Sequence, residues 1–196
     1  MRNKFYTVAL FLLVSLAASA TTLQKFTFEE LVNQSELIIE GQVESVYPFD
    51  AGKLLHTRVL IKVRDVLKGD YPGEFIELEF LGGQEDGRVL VVSGQDIPEE
   101  GERAFYFIED TSVQAVNPLL GWSQGHFRIR SDLKGNEYLE TDIQQDLVEL
   151  SDNKNAALAA KLRNMKFRRE LVEQAYYSPV TPGELRDAVA AFLADE

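Results

Sequence analysis

The sequence predicts a mostly β, α+β protein: a small barrel of five or six strands after a short N-terminal helix, with helices at the C-terminus. Three observations predict it. Stretches between residues 37 and 141 alternate apolar and polar side chains at a period of two, as half-buried strands do. Glycine-rich turns separate these stretches, and Gly41 sits inside one of them, where a bend or bulge is expected. Beyond residue 155 the apolar period changes to three or four, which is helical.

Each element follows from its residues. Arg2 and Lys4, the apolar run Val8 to Leu16, and Ala18-Ser19-Ala20 have the order of a secretory leader, with cleavage expected after Ala20. Thr27 with Glu30 three residues on forms a capping box for a short helix over residues 26–32. Ile39, Gly41, Val43 and Tyr47 lie at even spacing in a first strand, and residues 48–53 turn the chain. Thr57, Val59, Ile61 and Val63 line one face of a second strand, whose pattern slips by one near Val66 and Leu67, predicting a bulge or an end there. Residues 68–73 form a loop. Leu78 and Phe80, with Phe75 or Ile76, define a third strand.

Residues 82–87 read as a glycine-rich hairpin turn, followed by a short strand over residues 88–92. Further strands are expected over residues 103–108 and 112–116, and a hairpin over residues 125–131 and 137–141, turning at residues 132–136. Residues 143–155 read as a linker and residues 156–196 as a C-terminal helical segment. In that segment Thr181, Pro182 and Glu184 start a final helix with an apolar stripe from Leu185 to Leu193. Glycine-marked bends in five or six strands suggest a barrel of the OB type over residues 21–142.

Composition narrows the function. The chain holds 20 basic against 32 acidic residues, a net charge of −12, and losing Arg2 and Lys4 with a leader makes it more acidic. Nucleic acid and anionic membranes need a basic surface, so neither is an expected partner. There is no cysteine, which excludes thiolate metal sites, a thiol nucleophile and disulfide staples. Only His56 and His126 could serve as histidine bases or ligands, and no His-Glu-Xaa-Xaa-His is present, so neither a metal nor a cofactor is expected. The acidic stretch from Asp96 to Glu102 reads as a solvated face.

The stretch from Leu119 to Ile129 holds the only tryptophan, one histidine and two glycines four apart. It satisfies Gly-Xaa-Ser-Xaa-Gly at residues 121–125, but a strand rather than a helix is expected behind it, so the context of a nucleophile elbow fails. Two glycines flanking a turn allow positive φ or close backbone approach. Phe127 and Ile129 are expected inward, Arg128 and Arg130 outward. Trp122 either caps the barrel or contacts a partner, with Gln124 and His126 as neighbouring contacts.

The ordered motifs "SELIIEGQVESV", "VLIKVRDVLKG", "IELEFLGGQEDG", "PEEGERAFYFI" and "LLGWSQGHFRI" resemble exported bacterial proteins of unknown function, over residues 34–131. Residues 35–46 and 59–69 also resemble, more remotely, the opening strands of netrin-like domains, the OB barrels of the tissue inhibitors of metalloproteinases. That likeness implies the fold. The inhibitory mechanism of that family needs an N-terminal cysteine, which this chain lacks.

Three functions are in contention. The first is a non-enzymatic periplasmic or secreted module that binds a protein partner, a protease or an envelope component, without membrane insertion once the leader is cleaved. The second is a secreted hydrolase using Ser123 and His126. The third is a structural subunit of an envelope assembly that docks through its final helix.

Overall fold

The computed structural model describes residues 26–52, 54–112, 115–141 and 180–194. The expected leader, linker and helix over residues 156–176 lie outside the described residues. The fold is mostly β. One antiparallel sheet of six strands runs in the order β3-β2-β1-β6-β7-β8, and a two-stranded sheet, β4-β5, lies beside it. The strands are β1 (Leu37–Asp50), β2 (Leu55–Lys68), β3 (Phe75–Leu81), β4 (Gly83–Glu85), β5 (Arg88–Leu90), β6 (Arg103–Ile108), β7 (His126–Ser131) and β8 (Glu137–Glu140). Helix α1 (Phe28–Gln34) precedes them and α2 (Pro182–Leu193) follows. Among the described residues β3 and β8 do not pair with each other, so the sheet stays open. No described helix is long and apolar enough to cross a membrane.

The long hairpin of β1 and β2 carries the irregularities that the sequence announced. Its register shifts between Ile38 and Ile39, between Glu40 and Gly41, and between Val43 and Ser45. The first shift pairs Ile38 with Lys68 and Ile39 with Val66, so Leu67 is the extra residue, at the position where the pattern slipped. Leu67 consequently packs with the helices while Val63 and Val66 pack on the opposite face.

Apolar side chains bury both faces of the sheet. On one face Leu37, Ile39, Val43, Val59, Ile61, Ile76, Leu78 and Phe80 pack with Ala104, Tyr106 and Ile108. On the other, Ile38, Phe105, Phe107, Phe127, Ile129 and Leu139 meet the helices. Strand β6 lies between the two cores, which explains why "RAFYFI" is apolar almost throughout rather than alternating. Phe28 of α1 centres the helical face, with its ring 6.0 Å from Phe107, 6.3 Å from Phe127 and 5.9 Å from Phe192.

Both helices start with the expected capping boxes, Thr27 with Glu30 and Thr181 with Glu184. Most of the stripe of α2 is used: Leu185, Val189 and Phe192, joined by Ala188, are buried against α1 and the sheet, while Ala190 is exposed. Arg186 ties α2 down further. It pairs with Glu40 of β1, which also takes Arg103 at 2.7 Å. Glu40 is almost fully buried, and two guanidiniums satisfy the charge that burial would otherwise penalise.

Two local expectations are corrected. The glycine-rich stretch from residue 82 is not all turn: Gly83–Glu85 form β4, and the turn is Asp86-Gly87 alone. The described residues of 112–116 form a bend, not a strand. Their irregular path ends in a single bridge between Ile108 and Leu119.

Candidate functional site

The stretch around the tryptophan is a turn that feeds a strand. Gly121 (φ 63°) leads into a 3₁₀ turn, Trp122–Gly125, and β7 begins at His126. A Cβ on Gly121 would lie 2.8 Å from the Phe26 ring. One on Gly125 would lie 2.5 Å from the Leu120 carbonyl oxygen. Close approach therefore requires both glycines. Trp122 itself has φ 61°, a left-handed conformation that costs a non-glycine residue about 1–3 kcal/mol and persists only where its surroundings enforce it.

The polar side chains of this stretch are turned inward. Gln124 Oε1 accepts from the Phe26 amide at 3.0 Å and its Nε2 donates to the Gly121 carbonyl at 3.2 Å, fastening the approach to α1 over the turn. Ser123 Oγ donates to the Gly94 carbonyl at 3.4 Å. His126 is 1% exposed, and its Nε2 lies 2.8 Å from Glu102 Oε1. Arg128 Nε donates to Glu102 Oε2 at 2.9 Å, and its guanidinium also pairs with Asp96. Asp96 Oδ2 is in turn 3.9 Å from His126 Nδ1.

Tyr106 stacks on the His126 ring with centroids 5.2 Å apart. Its hydroxyl is buried and makes no hydrogen bond of acceptable geometry, so Glu102 acts on it through charge. Burial, and then that charge, push the phenol well above the ordinary tyrosine range.

Of the three candidate contacts Trp122, Gln124 and His126, only Trp122 reaches the surface, and only in part. Gln124 and His126 are buried, so in this arrangement neither offers its side chain to a partner. Ser123 and His126 do not form a nucleophile–base pair. One ring nitrogen of His126 is taken by Glu102, the other has no hydrogen-bond partner, and Ser123 points to a carbonyl. Phe127 and Ile129 are inward as expected, and Arg128 is half-buried on the opposite face of β7. Glu102 and Asp96 were expected in a solvated acidic stretch. Instead Glu102 is buried and both pair with the Arg128 guanidinium, which β7 brings across to them. No group of three histidine, aspartate or glutamate side chains suited to a metal occurs among the described residues.

This buried network holds a surface loop, residues 91–101. Ser123 grips it at Gly94 and Arg128 at Asp96. Gln95 Nε2 donates to the Leu81 carbonyl at 2.6 Å, and the Gly101 amide donates to the Val43 carbonyl at 2.9 Å. Thus anchored, the loop faces the outer end of the β1–β2 hairpin and the small β4–β5 hairpin. Two adjoining open clefts lie between them. One, of about 350 Å³, is lined by Val46, Pro48, Ile97, Pro98, Glu99 and Glu100. The other, of about 260 Å³, runs along Val89 to Val92 under Leu81 and Gln95. Ile97, Gly83 and Gln84 wall both.

Among the exposed large apolar side chains of the described residues, Val89 and Val91 line the second cleft, Tyr47 and Leu54 lie in the outer part of the β1–β2 hairpin, and Val116 lies beside the end of β3. Val116 is placed here by its carbonyl, which accepts from the Leu81 amide at 2.9 Å. Arg88 of β5 pairs with Asp50 at the tip of β1. No local signal in the sequence marks these positions. They come from four separate segments, each with only one or two exposed apolar residues. No protein-family model, no curated protein and no solved structure matches the chain.

Proposed function

We propose that this chain is an exported, non-enzymatic protein-binding module of the periplasm or cell exterior, with a protease or an envelope component as its partner. One observation carries the reading. The polar groups that could do chemistry are locked in a buried network, while the exposed Val89 and Val91 line one of two adjoining open clefts. Contiguous apolar surface rimmed by polar groups marks contact sites for other proteins. The leader-like order of Arg2, Lys4, the apolar run and Ala18-Ser19-Ala20 supports export. Six antiparallel strands with a long, bulged first hairpin support an OB-like reading of the fold, in which loops at the ends of strands do the binding.

The contact surface is then the cleft end, with Trp122 as a separate candidate. The test is capture from envelope and secreted fractions, using the chain from Thr21 as bait. Parent, Val89→Lys/Val91→Lys and Trp122→Ala proteins run side by side after circular dichroism has shown that each folds. We expect a partner held by the parent and by Trp122→Ala and lost by the double variant. Capture of nothing by the folded parent would overturn the reading.

A further inference from the structure

The β4–β5 hairpin has a free edge, and its geometry says what that edge can take. Asp86 (φ 47°) and Gly87 (φ 77°) both have positive φ, as a two-residue type I′ turn requires. In such a hairpin the residues flanking the turn, here Glu85 and Arg88, form the hydrogen-bonded pair. The next pair, Gln84 and Val89, is therefore the one whose backbone groups point outward. The Val89 amide and carbonyl thus face away from β4, where no strand pairs with β5. Val91, two residues on, makes no backbone hydrogen bond with any described residue. The side chains of Val89 and Val91 are 61% and 80% exposed.

The other edges are dressed differently. The Leu139 amide of β8 already donates to the Val180 carbonyl at 2.8 Å. Strand β3 carries Glu77 and Glu79 against Arg58 and His56, the charged dressing that discourages pairing.

We infer that the free edge of β5, with the cleft beside it, accepts an extended basic segment of a partner protein as an added strand. This rests on the binding reading above and names the partner's chemistry. Backbone pairing with Val89 and Val91 would supply affinity, and alternate apolar side chains would enter the cleft along Val89 to Val92. Charge chooses the segment. Asp86 is exposed at the turn of the hairpin, Glu99 and Glu100 are exposed on the adjoining cleft, no ion pair engages the three among the described residues, and Arg88 is occupied by Asp50. Lysine or arginine in the added strand meets these carboxylates, whereas an acidic segment is repelled by them and by the net charge of −12.

The test uses the chain from Thr21 and two synthetic nine-residue peptides, one alternating lysine with valine and one alternating glutamate with valine. Binding is read by amide shifts and hydrogen exchange. We expect the lysine–valine peptide to shift and protect the amides of Val89 and Val91, and the glutamate–valine peptide to leave them unchanged. Val91→Pro removes one outward donor without touching a β4–β5 bond, and should weaken binding at least 10-fold with an unaltered circular dichroism spectrum. Glu99→Lys/Glu100→Lys should weaken it as well. No binding of the lysine–valine peptide, or equal binding of both peptides, would overturn the assignment. So would shifts elsewhere, or a dimer of the parent dissolved by Val91→Pro, which would give the edge to a second copy. If Val91→Pro captures the same partner as the parent from envelope fractions, the edge assignment fails while the binding reading stands.

Discussion

Tyr106 is the residue whose chemistry is most out of place. Its ring is needed against His126 and in the core, yet its hydroxyl is sealed in without a hydrogen bond. An unsatisfied buried hydroxyl costs stability, so Tyr106→Phe should raise the unfolding free energy by roughly 1 kcal/mol at pH 7. Urea unfolding measures this, and a loss of stability would show that the hydroxyl has a partner after all. The same residue gives a pH signature. Its pKa is raised in the folded state, so folding favours the protonated form. The contribution is whole below the unfolded pKa near 10 and is lost as the pH climbs beyond it. Unfolding curves between pH 8 and 11 should therefore slope downward above about pH 10, and less steeply in Tyr106→Phe.

At the scale of elements, α2 is the piece whose role could not be read locally. Its start is plain in Thr181, Pro182 and Glu184, because capping involves residues three apart. Its destination is not. The pairing of Arg186 with Glu40 spans 146 residues of sequence. An amphipathic stripe says only that one face will be buried, not against what. In the fold it is buried against α1 and the sheet, so α2 is a wall of the core and not a free docking arm. Leu185→Ala should accordingly cost about 2–5 kcal/mol, as deletions from a closed core do. Thermal melting checks it, and a change under about 1 kcal/mol would mean that α2 sits loosely.

For the whole molecule the governing quantity is charge. An acidic chain that offers apolar clefts under exposed carboxylates should bind a basic segment with a rate that depends on salt. Raising ionic strength from about 0.05 M to about 0.5 M shortens the screening length several-fold. Association with the lysine–valine peptide should slow by about an order of magnitude, with a smaller change in dissociation. Stopped-flow anisotropy separates the two, and a salt-independent association rate would remove the electrostatic part of the proposal.

What the sequence by itself determined are the features carried by near neighbours. Alternation over residues 75–81 dictates a strand, because facing in or out is settled every second residue. The slip at Leu67 and the glycines at 121 and 125 are legible for the same reason: a bulge and a tight turn are events of a few residues. Only the tertiary structure decided which charges meet and which side chains remain outside. Asp96 and Glu102 have the same acidic surroundings in the chain as Glu99 and Glu100. Two of these four are paired with Arg128, and two are left to the solvent. Burial of a charge depends on a partner brought across from another strand, and the two clefts depend on separate segments arriving together. Neither is a property of any one stretch of residues.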